Sequence, residues 1–140
     1  MPKLNNRVII DTNIWISFLL TKDFLRLDRI IADQKIALVF SEELIEEFIE
    51  VTQRRKFKKY FAEDDVENLL LKIRNRALFI NVTSICNACR DPKDNFLLSL
   101  ALDGKASHLI TGDKDLLILG KYGKTLIISI TDYLNQIPII

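Results

Sequence analysis

The stretch Arg7-Val-Ile-Ile-Asp11-Thr-Asn-Ile-Trp-Ile-Ser17 decides the fold class. Val8, Ile9 and Ile10 are β-branched, which suits a buried strand. A helical pattern begins directly after Asp11. The acid therefore falls at the carboxyl end of a strand, where open α/β sheets bind their ligands.

The same alternation continues outward from this stretch. Strand 1 is predicted at 7–11, followed by helices at 12–20 and 24–33. Ile36 to Phe40 reads as strand 2, and Ser41 fits the cap of a helix running to 53, with Glu42 and Glu43 in its first turn. A long helix over 63–77 carries Val66, Leu69, Leu70, Ile73 and Ala77 at helical spacing. Strand 3 is predicted at 78–82, a loop at 83–91, and a helix opened by Asp91-Pro92 that is apolar almost all round from Phe96 to Leu102. Strand 4 spans 107–111, a short helix ends at Leu117, Lys121–Lys124 reads as a turn, and strand 5 spans 126–130. Thr131 is placed as the cap of a brief last helix, before the apolar end Ile137-Pro-Ile-Ile. Strands alternating with helices imply a parallel sheet covered on both faces.

The chain has 140 residues, so a single domain over 1–140 is expected. Its apolar fraction of 49% is ample for a core. Lys plus Arg is 20 against 19 for Asp plus Glu, giving a net charge of +1. Any attraction for nucleic acid must then be local. The N-terminus lacks a charged-then-apolar leader pattern, and no apolar run approaches the roughly 18 residues that span a bilayer. A soluble, cytoplasmic protein with no membrane association is expected.

Each acid of interest has an ordinary reading. Asp11, Asp91 and Asp113 each stand where a helix cap would stand, and Asp94 follows at the third helical position. Glu47 lies among Glu42, Glu43, Glu46 and Glu50, which together make one charged face. Their placement together suggests more. Asp11 and Asp113 both follow strands, Glu47 is in the helix after strand 2, and Asp94 is near the start of the helix after strand 3. In a parallel sheet those four points share one edge. Clustered carboxylates raise one another's pKa unless a cation intervenes, and oxygen-only ligands suit Mg²⁺ or Mn²⁺. Two such ions, about 3.5–4 Å apart, activate water and stabilise a leaving oxygen on phosphorus.

Four segments in order, Val-Ile-Ile-Asp11-Thr-Asn13, Ser41 with Glu47, Asp91-Pro-Lys-Asp94-Asn, and Thr111-Gly-Asp113-Lys-Asp115-Leu-Leu, resemble the successive motifs of the PIN domain. The likeness spans 7–133 and is nearest to the VapC-like toxin components of toxin–antitoxin pairs. It implies a three-layer α/β/α fold with a five-stranded parallel sheet in the order 3-2-1-4-5. It also implies a metal-dependent endoribonuclease, usually dimeric, held in check by an antitoxin protein. Carried over, Asp11, Glu47, Asp94 and Asp113 form the catalytic metal-binding quartet, with Asp115 an auxiliary acid. Asn13, Thr111 and Ser17 match polar positions flanking the site. The implied reaction is hydrolysis of an RNA phosphodiester by a metal-activated water.

The run 54–60 carries Arg54, Arg55, Lys56, Lys58 and Lys59 with no acid. It reads either as phosphate contacts, with Phe57, Tyr60 or Phe61 as a stacking face, or as cations complementing the end of a Glu-started helix. Arg90, Lys93 and Lys114 flank the expected pocket and are equal candidates for RNA contact. Cys86-Asn-Ala-Cys89 matches C-x-x-C, but a zinc site needs two further ligands and a redox pair is expected at a helix start. His108, inside strand 4, reads as a core or edge imidazole. The apolar Ile14–Leu20 segment and the C-terminal end fit a core, a homodimer face or an antitoxin-binding face.

Two other function classes compete. One is a PIN-like domain that binds RNA or protein without cutting. The other is an aspartyl-phosphate phosphohydrolase, whose chemistry wants Asp-x-Asp where this chain has Asp11-Thr-Asn13; a receiver domain leaves Glu47 and Asp94 without a role.

Overall fold

A computed structural model describes residues 6–33 and 35–136. Strand β1 (Asn6–Ile10) is followed by helices α1 (Thr12–Thr21) and α2 (Phe24–Ala32), then by β2 (Ile36–Phe40). Helices α3 (Glu42–Thr52), α4 (Arg55–Lys58) and α5 (Glu63–Arg76) precede β3 (Leu78–Phe79). Helix α6 (Pro92–Asp103), β4 (His108–Ile110), α7 (Lys114–Leu117), β5 (Lys121–Tyr122), β6 (Thr125–Ile128) and α8 (Ile130–Gln136) complete the order.

The sheet has six strands in the order β3-β2-β1-β4-β6-β5. This corrects the five-stranded, all-parallel expectation. Five strands are parallel, and the short β5 is added antiparallel to β6 at one edge. The reason lies in Lys121-Tyr-Gly-Lys124, expected as a turn alone. Gly123, at φ +59°, takes the first place of a two-residue turn, the position where a hairpin twisting with its strands needs a glycine. Tyr122 consequently pairs with Thr125.

Continuous apolar runs mark strands buried on both faces. Val8, Ile9 and Ile10 are buried, as is all of Ile36–Phe40. Right-handed crossovers place the helices between β1, β2 and β3 on one face and α6 and α7 on the other. Trp15, Phe40, Phe48, Ile73 and Leu98 are among the largest fully buried side chains. Helix α6 ends against the sheet so closely that a Cβ on Gly104 would lie 2.8 Å from Val39 Cγ1 and 2.9 Å from the Leu100 carbonyl oxygen.

Smaller differences have local causes. Strand β3 ends at Phe79, although the Ile80 amide still donates to the Phe40 carbonyl. Ser129, not Thr131, caps α8, its Oγ accepting from the Asp132 amide at 3.1 Å. The basic run does not sit in the last turn of α3, which holds no cation; Arg55, Lys56 and Lys58 belong to the separate turn α4. The expected apolar end, Ile137–Ile140, lies outside the described residues. Among the described residues, no helix is long and apolar enough to cross a membrane.

Candidate active site

Strands β1 and β4 are neighbours, with Ile9 opposite Leu109 and Ile10 opposite Ile110. The chain leaves both strands at the same edge, where β1 also turns toward β2 and the order reverses. Asp11 and Thr111 are the first residues beyond the two strands. The Thr111 hydroxyl donates to Asp11 Oδ2 at 2.9 Å and accepts from the Asp113 amide at 3.0 Å. One fully buried hydroxyl thus joins the ends of both strands.

Asp113 caps α7, with Oδ1 accepting from the Asp115 amide at 2.8 Å and the Leu116 amide at 3.2 Å. The capping reading of this acid is correct. Asp11 stands at the cap position of α1 without a side-chain capping bond. Asp91 does cap α6, accepting from the Lys93 amide at 2.9 Å. That cap and Pro92 fix the start of α6, which carries Asp94 inward.

Asp94 is the anomalous acid. It is 5% exposed, and its Oδ2 has no hydrogen-bond partner among the described residues. Carboxylate oxygens of Asp94, Asp113 and Asp115 all lie within 4.8 Å of one another. Burial, then the charges of Asp113, Asp91 and Asp11, push the Asp94 carboxyl up to about 6. Asp11 is also raised, chiefly by burial and further by Glu47 and Asp113, against the lowering effect of the Thr111 hydrogen bond. A buried carboxylate with an unpartnered oxygen, clustered with two more carboxylates, is costly unless a cation or a proton is present. This donor set, all oxygen, fits a hard divalent cation.

Glu47 reaches the same edge from α3. Its Oε2 accepts the Thr12 hydroxyl at 2.9 Å, and Lys93 Nζ lies 3.6 Å from Oε1. Arg90 forms an ion pair with Asp115 at 3.1 Å. The acids are thus flanked by one cation on each side. Thr12 was not singled out in the sequence, although a buried threonine between Asp11 and an apolar helix was the available signal.

The other candidates form no side-chain hydrogen bond with the clustered acids among the described residues. The side chains of Asn13 and Ser17 are exposed, and no hydrogen bond joins the Ser17 hydroxyl to an acid among the described residues. Arg54 is bound to Glu50 through two hydrogen bonds, at 3.0 and 2.9 Å. Arg55, Lys56 and Lys114 are exposed. Phe57 and Phe61 stack on each other at 5.8 Å between centroids and pack on the core, which leaves Tyr60 as the exposed ring of that segment.

Both cysteines are free thiols. Burial and then the charges of Asp94 and Asp115 hold the Cys89 thiol above its ordinary pKa, the opposite of an activated thiolate. Asn95 clamps this loop to α6 by bonding the Cys89 amide and carbonyl, each at 2.8 Å. His108 meets Tyr133 edge-on at 5.2 Å, and its pKa is lowered by burial.

A family model for the PIN domain matches residues 7–115, which takes in every acid of the cluster. The chain belongs to the PIN domain family. An uncharacterized protein of Methanocaldococcus jannaschii is similar to it, 32% identical over 129 residues that cover 90% of this chain and 83% of that protein. No solved structure matches the chain. PIN domains are generally nucleases, and this PIN domain carries a cluster of three carboxylates at the carboxyl edge of its sheet.

Proposed function

We infer that the protein is an endoribonuclease that hydrolyses RNA phosphodiester bonds with the help of Mg²⁺ or Mn²⁺, over a single PIN domain of residues 1–140. The observation that carries this reading is Asp94, a buried carboxylate with an unpartnered Oδ2, which lies in one cluster with Asp113 and Asp115. Asp94, Asp113 and Asp11 are the residues that would hold the cation, with Glu47 closing the shell and Asp115 auxiliary. When bound, such an ion polarises a phosphoryl oxygen and makes water a stronger nucleophile.

The remaining work belongs to the chain. Thr111 fixes Asp11 and Asp113 relative to each other, and Thr12 holds Glu47. Pre-set orientation of acids in this way saves reorganisation at the moment of reaction. Arg90, Lys93 and Lys114 line the approach, where a phosphate backbone requires positive charge. Arg55 and Lys56 on α4 are further exposed cations that would meet the phosphate backbone.

The toxin role, with an inhibiting antitoxin and a homodimeric state, rests on the motif resemblance. The test is direct. Purified protein should cleave single-stranded RNA in Mn²⁺ or Mg²⁺ and stop when the metal is chelated. Cleavage that persists after chelation, or in Asp11→Asn, would overturn the reading. Calorimetric titration with Mn²⁺ separates it from a non-cutting RNA- or protein-binding domain, which would bind no metal.

A further inference from the structure

Beside the acids runs a groove of about 310 Å³ between α3 and α6. Glu43 and Glu47 line it from α3, Lys93 and Phe96 from α6, over a floor of Leu44 and Leu97. Its size is at the lower end for small-ligand pockets. Phe96 is the unusual member. It is half-buried, yet it is not among the hydrophobic side chains packed on the core, and no aromatic ring pairs with it among the described residues. An aromatic ring with no place in the core is free to pack on whatever enters the groove.

We propose that this groove is a nucleobase subsite, holding the base next to the cut phosphodiester, with Phe96 as stacking face and Glu43 and Lys93 reading a guanine edge. The assignment rests on the ribonuclease reading above and deepens it. Three observations carry it. The groove is continuous with the candidate site, since Glu47 lines it and Lys93 precedes Asp94 in the chain. A nucleotide whose phosphate meets the acids thus has this groove beside it for its base. Single-stranded RNA is read by unstacked bases that pack on aromatic side chains and are hydrogen-bonded along their edges.

The third observation is the charge on the two walls, Glu43 on α3 and, on α6, Lys93, whose ammonium lies 3.6 Å from Glu47 Oε1 and would turn from it to a bound base. A carboxylate only accepts hydrogen bonds, and an ammonium only donates them. Guanine presents N1–H and the N2 amino group side by side to a carboxylate, and O6 and N7 to a donor. Adenine offers a carboxylate one donor beside an acceptor. Pyrimidines lack N7 and cover less of a ring.

The experiment has two arms on the full chain. In the first, cut sites are mapped on a mixed-sequence single-stranded RNA in Mn²⁺ for the wild type, Phe96→Ala and Glu43→Gln. Wild-type cuts should lie beside guanine. Phe96→Ala should lower kcat/KM at those bonds about tenfold or more, as loss of one base–aromatic stack does, and should flatten the preference. Glu43→Gln should weaken the guanine preference. A wild type that cuts with a preference untouched by both variants overturns the subsite and leaves the nuclease reading standing.

The second arm needs no cleavage. Guanosine 5′-monophosphate is titrated into the labelled protein and followed by NMR, with cytidine 5′-monophosphate as comparison. Amide shifts at Glu43 and Phe96 that favour guanosine and vanish in Phe96→Ala support a base site even if the wild type cuts nothing, an outcome that would fail the nuclease reading alone. Shifts confined elsewhere, or a groove blocked by a co-purified polypeptide that guanosine 5′-monophosphate cannot displace, overturn it. Should Phe96→Ala unfold, Phe96→Leu removes the ring and keeps the apolar volume.

Discussion

The Thr111 hydroxyl donates to Asp11 across the β1–β4 junction, at 2.9 Å. Because the same oxygen accepts from the Asp113 amide, Thr111→Val unbinds two groups at once. We expect a loss of about 1–3 kcal/mol in stability, the cost of leaving buried polar groups without partners. RNA cleavage should fall roughly 10–100-fold through misdirected acids. Thr111→Ser should recover most of both. Denaturant unfolding and cleavage rates measured on the three proteins check this.

Asp94 makes metal-free stability depend on pH. Its carboxyl is raised from the ordinary 3.8 to about 6, so the folded chain holds that proton more tightly than the unfolded chain. The resulting stabilisation is fully present below about pH 4 and is lost as pH rises through about 6, on the order of 1–3 kcal/mol. Asp11 shifts in the same direction. The Tm of chelated protein should therefore gain a downward component between about pH 4 and 6, and the slope should flatten in Asp94→Asn. Mn²⁺ should raise Tm more at the upper pH.

The same acid separates activity from stability. Asp94→Asn removes a buried charge and its repulsion with Asp113, Asp91 and Asp11. The variant should be at least as stable as the wild type without metal at pH 7.5, yet inactive and insensitive to Mn²⁺. A destabilised Asp94→Asn would mean that the wild-type oxygen has a protein partner.

Electrostatic contact with RNA has its own signature. Lys114 is exposed beside Asp113 and forms no ion pair among the described residues. Lys114→Glu should weaken RNA binding across sequences and lower the slope of log K against log salt by about 1. Arg54→Ala should do less, because Arg54 is already held by Glu50. Anisotropy titrations at several salt concentrations distinguish the two.

Gly104 tests the packing of α6. Its φ is an ordinary −84°, so backbone strain is not involved. A methyl there meets Val39 Cγ1 and a carbonyl oxygen that cannot retreat. Gly104→Ala should cost about 1–3 kcal/mol, as overpacking does, and is read in the denaturation midpoint.

The α/β layout was legible because parallel strands bury both faces and read as apolar runs, as at Val8–Ile10 and Ile36–Phe40. The cap at Ser41 was legible for a similar reason, since its Oγ does accept from the Leu44 amide at 3.1 Å. Strand β5 was not, because two residues give no periodicity and the glycine that shapes the hairpin looks like any turn. Nor does spacing show which hydroxyl bonds which acid. Thr111 lay beyond a strand and was noticed as a position; Thr12, one residue from Asp11, depends on α3 crossing close enough for Glu47 to reach it. The unpartnered oxygen of Asp94 is a property of three dimensions alone.

The outer strands of the sheet carry a consequence for assembly. β3 and β5 occupy the two edges, and each is only two residues long. An edge that short offers too few free amides and carbonyls to template another chain. Among the described residues, pairing of the sheet edge with another chain is thus disfavoured on both sides by the shortness of these strands.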